Sequence, residues 1–235
     1  MCGRFVSARK RLELLEEFGV LRDRVSVDLA ADYNVAPTKK IYAVTSSKEG
    51  ERELRTVRWG LVPAWAKDLS GGAKMINARA ETVAVKPAFR RAFAHRRCLI
   101  PADGYYEWKD KKPFYIQPAS GASLSMAGIY ELWRDRELPD DHPDAWLWSA
   151  SIITTAATDE VGQIHDRMPM IIIPDLWADW LDPANTEISQ LQATMQPALV
   201  GGLSSYPVST AVNFVRNNGP ELIEPELADP GLLPD

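Results

Sequence analysis

The chain has 235 residues, 46% of them hydrophobic and 25% charged, which is enough apolar material for a buried core in one large domain. No stretch approaches the roughly 18 uninterrupted apolar residues of a membrane span, the N-terminal run MCGRFVSARKRLELLEEFG has no apolar signal segment, and two cysteines, Cys2 and Cys98, do not make a disulfide framework, so a soluble, cytoplasmic protein is expected. The net charge of −5 is unevenly spread: residues 1–112 carry 23 Lys and Arg against 14 Asp and Glu, whereas residues 113–235 carry 4 against 18, which suits a chain whose first half meets an anion.

In chain order, a very short strand precedes a helix predicted over 7–18, where Leu12 and Leu15, Leu14 and Phe18 repeat at helical spacing and Gly19 supplies the stop. YNVAPT (33–38) reads as a Pro-bearing loop, strands are predicted over 41–45 and 54–62, and Gly71-Gly72 marks a turn. A short helix near 87–93 leads to strands over 98–101 and 105–108, joined at Asp103-Gly104, a dipeptide that favours a hairpin. Further strands fall at 114–117, 124–130, 146–155, 169–173 and 208–214, with helices over 176–181 and 187–195 and an exposed polar loop at 134–144. Many strands with scattered helices predict an α+β fold, a single domain over 1–216 built on mostly antiparallel, curved β-sheet with a few peripheral helices. The acidic, Pro-rich residues 217–235 read as a loosely ordered tail.

Cys at position 2 is chemically unusual, because removal of Met1 would leave an α-amine and a thiol on one residue. Such a 1,2-aminothiol reacts with aldehydes: the amine forms an imine and the thiolate closes a thiazolidine ring. An α-amine near pKa 8 and a thiol near 8.5 each keep a reactive fraction at neutral pH, so no special activation is expected. Glu107 lies in an aromatic run, Tyr105-Tyr106-Glu107-Trp108, where desolvation would raise its pKa and suit it to proton transfer; pairing with Lys109 is the bland alternative. His165, in HDRMP, can serve acid/base chemistry or simply be hydrogen-bonded in place. Asn77 and Arg79, two apart in an extended run, point to one side, and Arg offers a bidentate fork for phosphate. Arg4 and Arg167 are further phosphate candidates, and Pro37, Trp65 and Trp108 can present apolar surfaces to bases. Thr154 offers a hydroxyl. Trp146, Trp148, Trp177, Trp180 and Cys98 read as packing residues, and His95 and His142 as surface residues. The basic pieces at 9–11, 90–97 and 109–112 are either solvated faces or part of a strand-binding groove. Two Cys and three His form no zinc spacing, and neither a metal nor a cofactor is expected.

Five runs in fixed order, MCGRF, NARAET (77–82), IPADGYYEW (100–108), Thr154-Thr155-Ala156 and HDRMP (165–169), resemble the SOS response-associated peptidase family, the abasic-site processing proteins. The likeness spans Cys2 to about Val215. It implies that Cys2, freed by loss of Met1, crosslinks to abasic sites in single-stranded DNA, with Asn77 against Cys2, Glu107 and His165 as acid/base groups, and Arg79 on phosphate flanking the lesion. It also implies a self-processing peptidase; an imine acidifies the adjacent carbon, so a minor lyase activity is expected, as is a monomer that meets the nucleoid at damaged DNA. Two other classes compete: a Cys-dependent peptidase acting on other chains, and a non-covalent single-stranded DNA-binding module.

Overall fold

Alternating apolar residues mark the strands within 40–59 and 97–156, and in the computed structural model, which describes residues 2–195 and 202–226, these strands form the sheet core. The chain runs β1 (Phe5–Ser7), α1 (Arg11–Glu17), β2 (Arg22–Asp23), β3 (Asp32–Val35), β4 (Lys40–Ser46), β5 (Arg52–Trp59), β6 (Asn77–Arg79), α2 (Arg90–His95), β7 (Arg97–Ala102), β8 (Gly104–Lys109) and β9 (Lys112–Pro118). It continues through β10 (Leu124–Arg134), β11 (Trp146–Ala156), α3 (Asp159–Gly162), β12 (Arg167–Pro169), α4 (Trp177–Leu181), α5 (Ile188–Thr194) and β13 (Leu203–Pro207). None of these helices is long and apolar enough to cross a membrane.

Strands β11, β10, β7, β4 and β5 pair in that order, and β5 returns to β11 to close a five-stranded barrel. Four of its seams are antiparallel, while the closing one is parallel, with Arg58 opposite Ser149 and Trp59 opposite Ala150. Period-two alternation sends Ile41, Ala43, Val57, Trp59, Cys98, Ile100, Met126, Ala150 and Ile152 into the interior, and their neighbours Tyr42, Val44, Leu99, Ile129 and Ile153 outward against α1, α2, α4 and α5. So small a barrel needs small residues beside large ones. Gly128 is one such position: a Cβ there would lie 2.7 Å from the Cys98 sulfur. The buried Arg97 guanidinium locks the outer helices to β7 by donating to the carbonyls of Phe93, Ala94, Trp180, Asp182 and Asn185.

A second sheet, ordered β13-β9-β8-β1-β3, lays one face over the barrel. That face contributes Phe5, Val35, Tyr105 and Ile116 to the barrel's own core, with the Phe5 ring edge-on to Trp59 at 5.1 Å, a contact worth roughly 0.5–1.5 kcal/mol beyond burial. Its other face packs Val6, Tyr106 and Tyr115 against Val208, Val212 and Leu222.

Several expectations are corrected. The sheet is not simply curved and antiparallel: it closes into a barrel through a parallel seam, and β2–β5 and β6–β11 are parallel too. Asp103-Gly104 is a crossing between sheets rather than a hairpin, since β7 and β8 belong to different sheets. Asp103 accepts from the Ala8 amide at 2.7 Å, and Gly104 is required because a Cβ would meet the Tyr115 ring at 2.5 Å. The hairpin turn falls instead at Asp110-Lys111, whose φ values of 51° and 67° match the strand twist. Part of YNVAPT is strand β3, and the helix predicted from residue 7 starts at Arg11, because Ser7 is held in β1 by pairing with β3. The strand expected over 208–214 lies earlier, at β13, and Thr210–Asn213 is a 3-10 turn capped by Ser209. Residues 220–223 of the expected tail form a 3-10 turn with Leu222 buried, and 227–235 lie outside the described residues. Trp146 is 53% exposed at the start of β11 rather than packed, and Arg97 is buried rather than part of a basic surface.

Candidate functional site around Cys2

Strand β1 runs antiparallel to β8, with Phe5 opposite Tyr105. The chain before β1 therefore passes the far end of β8, which brings the N-terminal segment beside Glu107. Tyr105 and Glu107 alternate onto the barrel-facing side of β8, and Cys2 joins the same buried cluster. From the barrel, β6 adds itself in parallel to β11, with Asn77 opposite Ile152 and Arg79 opposite Thr154. Asn77 and Arg79 thus share one side, while Ala78 between them is buried. The Asn77 Nδ2 donates to the Cys2 carbonyl at 2.7 Å. The turn after α3 and the start of β12 supply His165, whose Nε2 lies 3.9 Å from Glu107 Oε2.

The electrostatics follow from burial. Cys2 has no exposed surface, and desolvation, reinforced by the Glu107 carboxylate, pushes its thiol well above the usual range, with the Arg4 backbone amide opposing the shift. Desolvation also raises Glu107, against the lowering influence of His165. The Tyr105 hydroxyl, buried beside both, is pushed up by burial and by its two neighbours. The Arg167 backbone N–H donates to His165 Nδ1 at 3.0 Å, which places the ring proton on Nε2, facing Glu107. Asp166 Oδ1 also lies 2.9 Å from Nδ1, a contact that needs a proton there. The two cannot hold at once. Asp166 is open to solvent, whereas the Arg167 amide belongs to strand β12, so the backbone contact sets the tautomer.

Arg167 is held on the same side of the barrel. Its Nη2 donates to the Thr154 carbonyl at 2.6 Å and reaches the Thr154 hydroxyl at 3.3 Å, and its fork grips both oxygens of Glu81. That ion pair keeps the Glu81 carboxyl below its ordinary value.

The structure thus brings Cys2, Asn77, Glu107 and His165 together, with Arg79, Thr154 and Arg167 adjoining through β6, β11 and β12. It separates others. Arg4 lies beside Cys2 only through its backbone: its guanidinium turns to the opposite face of the small sheet, donating to Asn34 Oδ1 at 2.6 Å and to the Val212 carbonyl at 3.0 Å. Trp108 alternates to that same face and donates to Asn213. Pro37 is half-buried in the turn after β3. Trp65 is 68% exposed on the excursion between β5 and β6, where with Trp133 and Arg134 it lines a cavity of about 420 Å³. Two participants escaped the sequence reading. Tyr105 was detectable, because it sits two residues before Glu107 on one strand. Glu81 gave no signal, since its partner lies 86 residues away. Among the described residues no cluster of His, Cys, Asp and Glu could hold a metal.

The family model for SOS response associated peptidase (SRAP) matches residues 1–215. The chain is 40% identical over 229 residues to the abasic site processing protein YoqW of Bacillus subtilis (strain 168), covering 95% of this chain and 99% of that one. It is 34% identical over 238 residues to the abasic site processing protein YedK of Escherichia coli (strain K12), covering 96% and 100%. The abasic site processing protein HMCES of Gallus gallus is 33% identical over 202 residues, covering 74% and 58%. A crystal structure of a protein from Bacteroides thetaiotaomicron superposes with a TM-score of 0.82 at 26% identity, covering 96% of this chain and 100% of that one.

Proposed function

The chain belongs to the SOS response associated peptidase family, and from that premise we propose that it captures abasic sites in single-stranded DNA as a covalent thiazolidine through Cys2, once Met1 has been removed. The reading is carried by one observation: Cys2, two residues into the sequence, is buried with its carbonyl held by Asn77 and its thiol beside a carboxyl whose pKa burial has raised.

Hydrolysis of the Met1–Cys2 peptide bond consumes a water and releases the α-amine, a restricted self-processing peptidase step. The amine adds to the aldehyde carbon of the ring-opened deoxyribose, and the resulting hydroxyl leaves as water to give an imine. The Cys2 sulfur then bonds to the imine carbon while the thiol proton passes to nitrogen, closing the ring. Glu107 can protonate the departing hydroxyl and then accept the thiol proton, because burial raises its carboxyl above the ordinary value, the direction that suits a proton shuttle. His165 faces Glu107 through its Nε2–H and orients that carboxyl, which regains its proton from the nitrogen as the imine forms. Arg79, exposed at the end of β6, is the phosphate ligand best placed beside the lesion. β-Elimination through the imine is a minor side path. We take the protein to act as a monomer on DNA in the cytoplasm.

The test is a denaturing gel of the processed protein with a single-stranded oligonucleotide carrying one abasic site, beside Cys2→Ala and an undamaged strand. A retarded band that needs both Cys2 and the lesion supports the reading. A retarded band with Cys2→Ala, or none with the wild type, overturns it.

A further inference from the structure

Arg167 has a fork suited to phosphate, yet in this structure that fork is filled. Glu81 meets it with two oxygens in the parallel arrangement a phosphate would use, Nη2 lying 3.1 Å from Oε2 and Nη1 binding Oε1. The two partners differ in freedom. Arg167 is only 12% exposed and is tied independently to the Thr154 carbonyl, so its guanidinium stays in place when the carboxylate departs. Glu81 is 52% exposed and sits in the turn just beyond β6, so it is the member that can swing into water. Arg79, two residues earlier and exposed, also acts on Glu81 electrostatically, so both Arg79 and Arg167 favour the carboxylate at this place.

We propose that Glu81 is an internal stand-in for a DNA phosphate, a latch that occupies Arg167 until a strand phosphate displaces it and that thereby weakens the grip on undamaged DNA. This rests on the proposed capture of abasic single strands at Cys2. Displacement exchanges one anion for another on Arg167, so engaging that residue neutralises no additional charge and weakens binding compared with an open fork. The acid does not block the aldehyde chemistry, which takes place at Cys2. It raises the requirement for a correctly seated backbone before capture, which is useful in a protein that reacts only once.

The experiment measures equilibrium binding of an undamaged single-stranded oligonucleotide by fluorescence anisotropy, in a Cys2→Ala background that prevents crosslinking. The variants are Glu81→Gln, Glu81→Ala, Arg167→Gln and the Glu81→Gln/Arg167→Gln double, each melted to check folding. Opening the latch is expected to tighten binding about fivefold. The plot of log affinity against log salt should steepen by about 0.7, the value for one extra phosphate neutralised on a single strand. The gain should vanish when Arg167 is also replaced. Equal or weaker binding by both folded Glu81 variants overturns the latch, and so does a gain that survives in the double variant, which would mark a general charge effect. Abasic capture by the Cys2-containing protein is run in parallel. Intact capture with no gain sinks the latch alone, whereas a wild type that neither binds nor captures sinks the functional reading as well.

Discussion

Asn77→Ala removes the 2.7 Å hydrogen bond that fixes the Cys2 carbonyl. Cys2 has no exposed surface, so water does not replace the lost donor without rearrangement. A net hydrogen bond is worth about 0.5–1.5 kcal/mol, and leaving a buried acceptor unpaired costs about 1–3 kcal/mol. If that loss appears in the orientation of the reacting residue, capture slows by about 5-fold to 150-fold. The assay is single-turnover capture of an abasic oligonucleotide, quenched in denaturant and resolved on a gel, with a thermal melt of each variant. Asn77→Asp serves as a control that keeps the shape but turns a carboxylate oxygen toward the carbonyl, and it should be at least as slow. Asn77→Ala capturing within about twofold of the wild type, with an unchanged melt, would refute the claim that this bond positions Cys2.

Glu107→Gln should raise stability relative to the wild type at about pH 8 and not at about pH 4, read by paired melts. The sign follows from a carboxyl pKa that burial raises in the fold: the native state binds the proton more tightly, so the wild type loses stability as pH rises from the ordinary carboxylate range through the raised value. The same variant should slow capture, because it neither gives nor takes the proton. Gly128→Ala should cost about 1–3 kcal/mol by overpacking the barrel against Cys98, lowering Tm by about 2–4 °C per kcal/mol, and Cys98→Ala in the same chain should recover part of the loss. No recovery would argue that the interior is not packed at this seam. Arg97→Met should destabilise by about 3–5 kcal/mol in urea unfolding, since it strands several carbonyls of α2, α4 and the turn that follows. Burial already lowers the Arg97 pKa to about 10, so Lys at this position, deprotonated more readily, should rescue little.

The local geometry around Cys2 was legible in the sequence, because the residues gathered there sit in short ordered runs whose geometry follows from alternation. Asn77 and Arg79 share a side by the period of a strand, as do Tyr105 and Glu107. The same period separates Trp108 from Glu107 and Arg4 from Phe5, so their assignment to the opposite face was available and missed. The closure of the barrel was not available. Its parallel seam joins residues 58–59 to 149–150, and nothing local in either strand names the other as its partner. Arg97 looked like a surface cation because a sequence shows its charge and not the carbonyls that converge on it. Glu81 stayed silent for a related reason: an acid becomes a latch only when the fold places it against a particular arginine.

The most direct measurement is the intact mass of the product formed with an abasic oligonucleotide, without a reducing agent, after denaturation. Thiazolidine capture requires an adduct equal to the protein lacking Met1 plus the oligonucleotide, less one water, with the linkage mapped to the Cys2 peptide. An adduct that retains Met1, maps to a lysine, or forms only when a reductant traps an imine would contradict capture by the N-terminal cysteine.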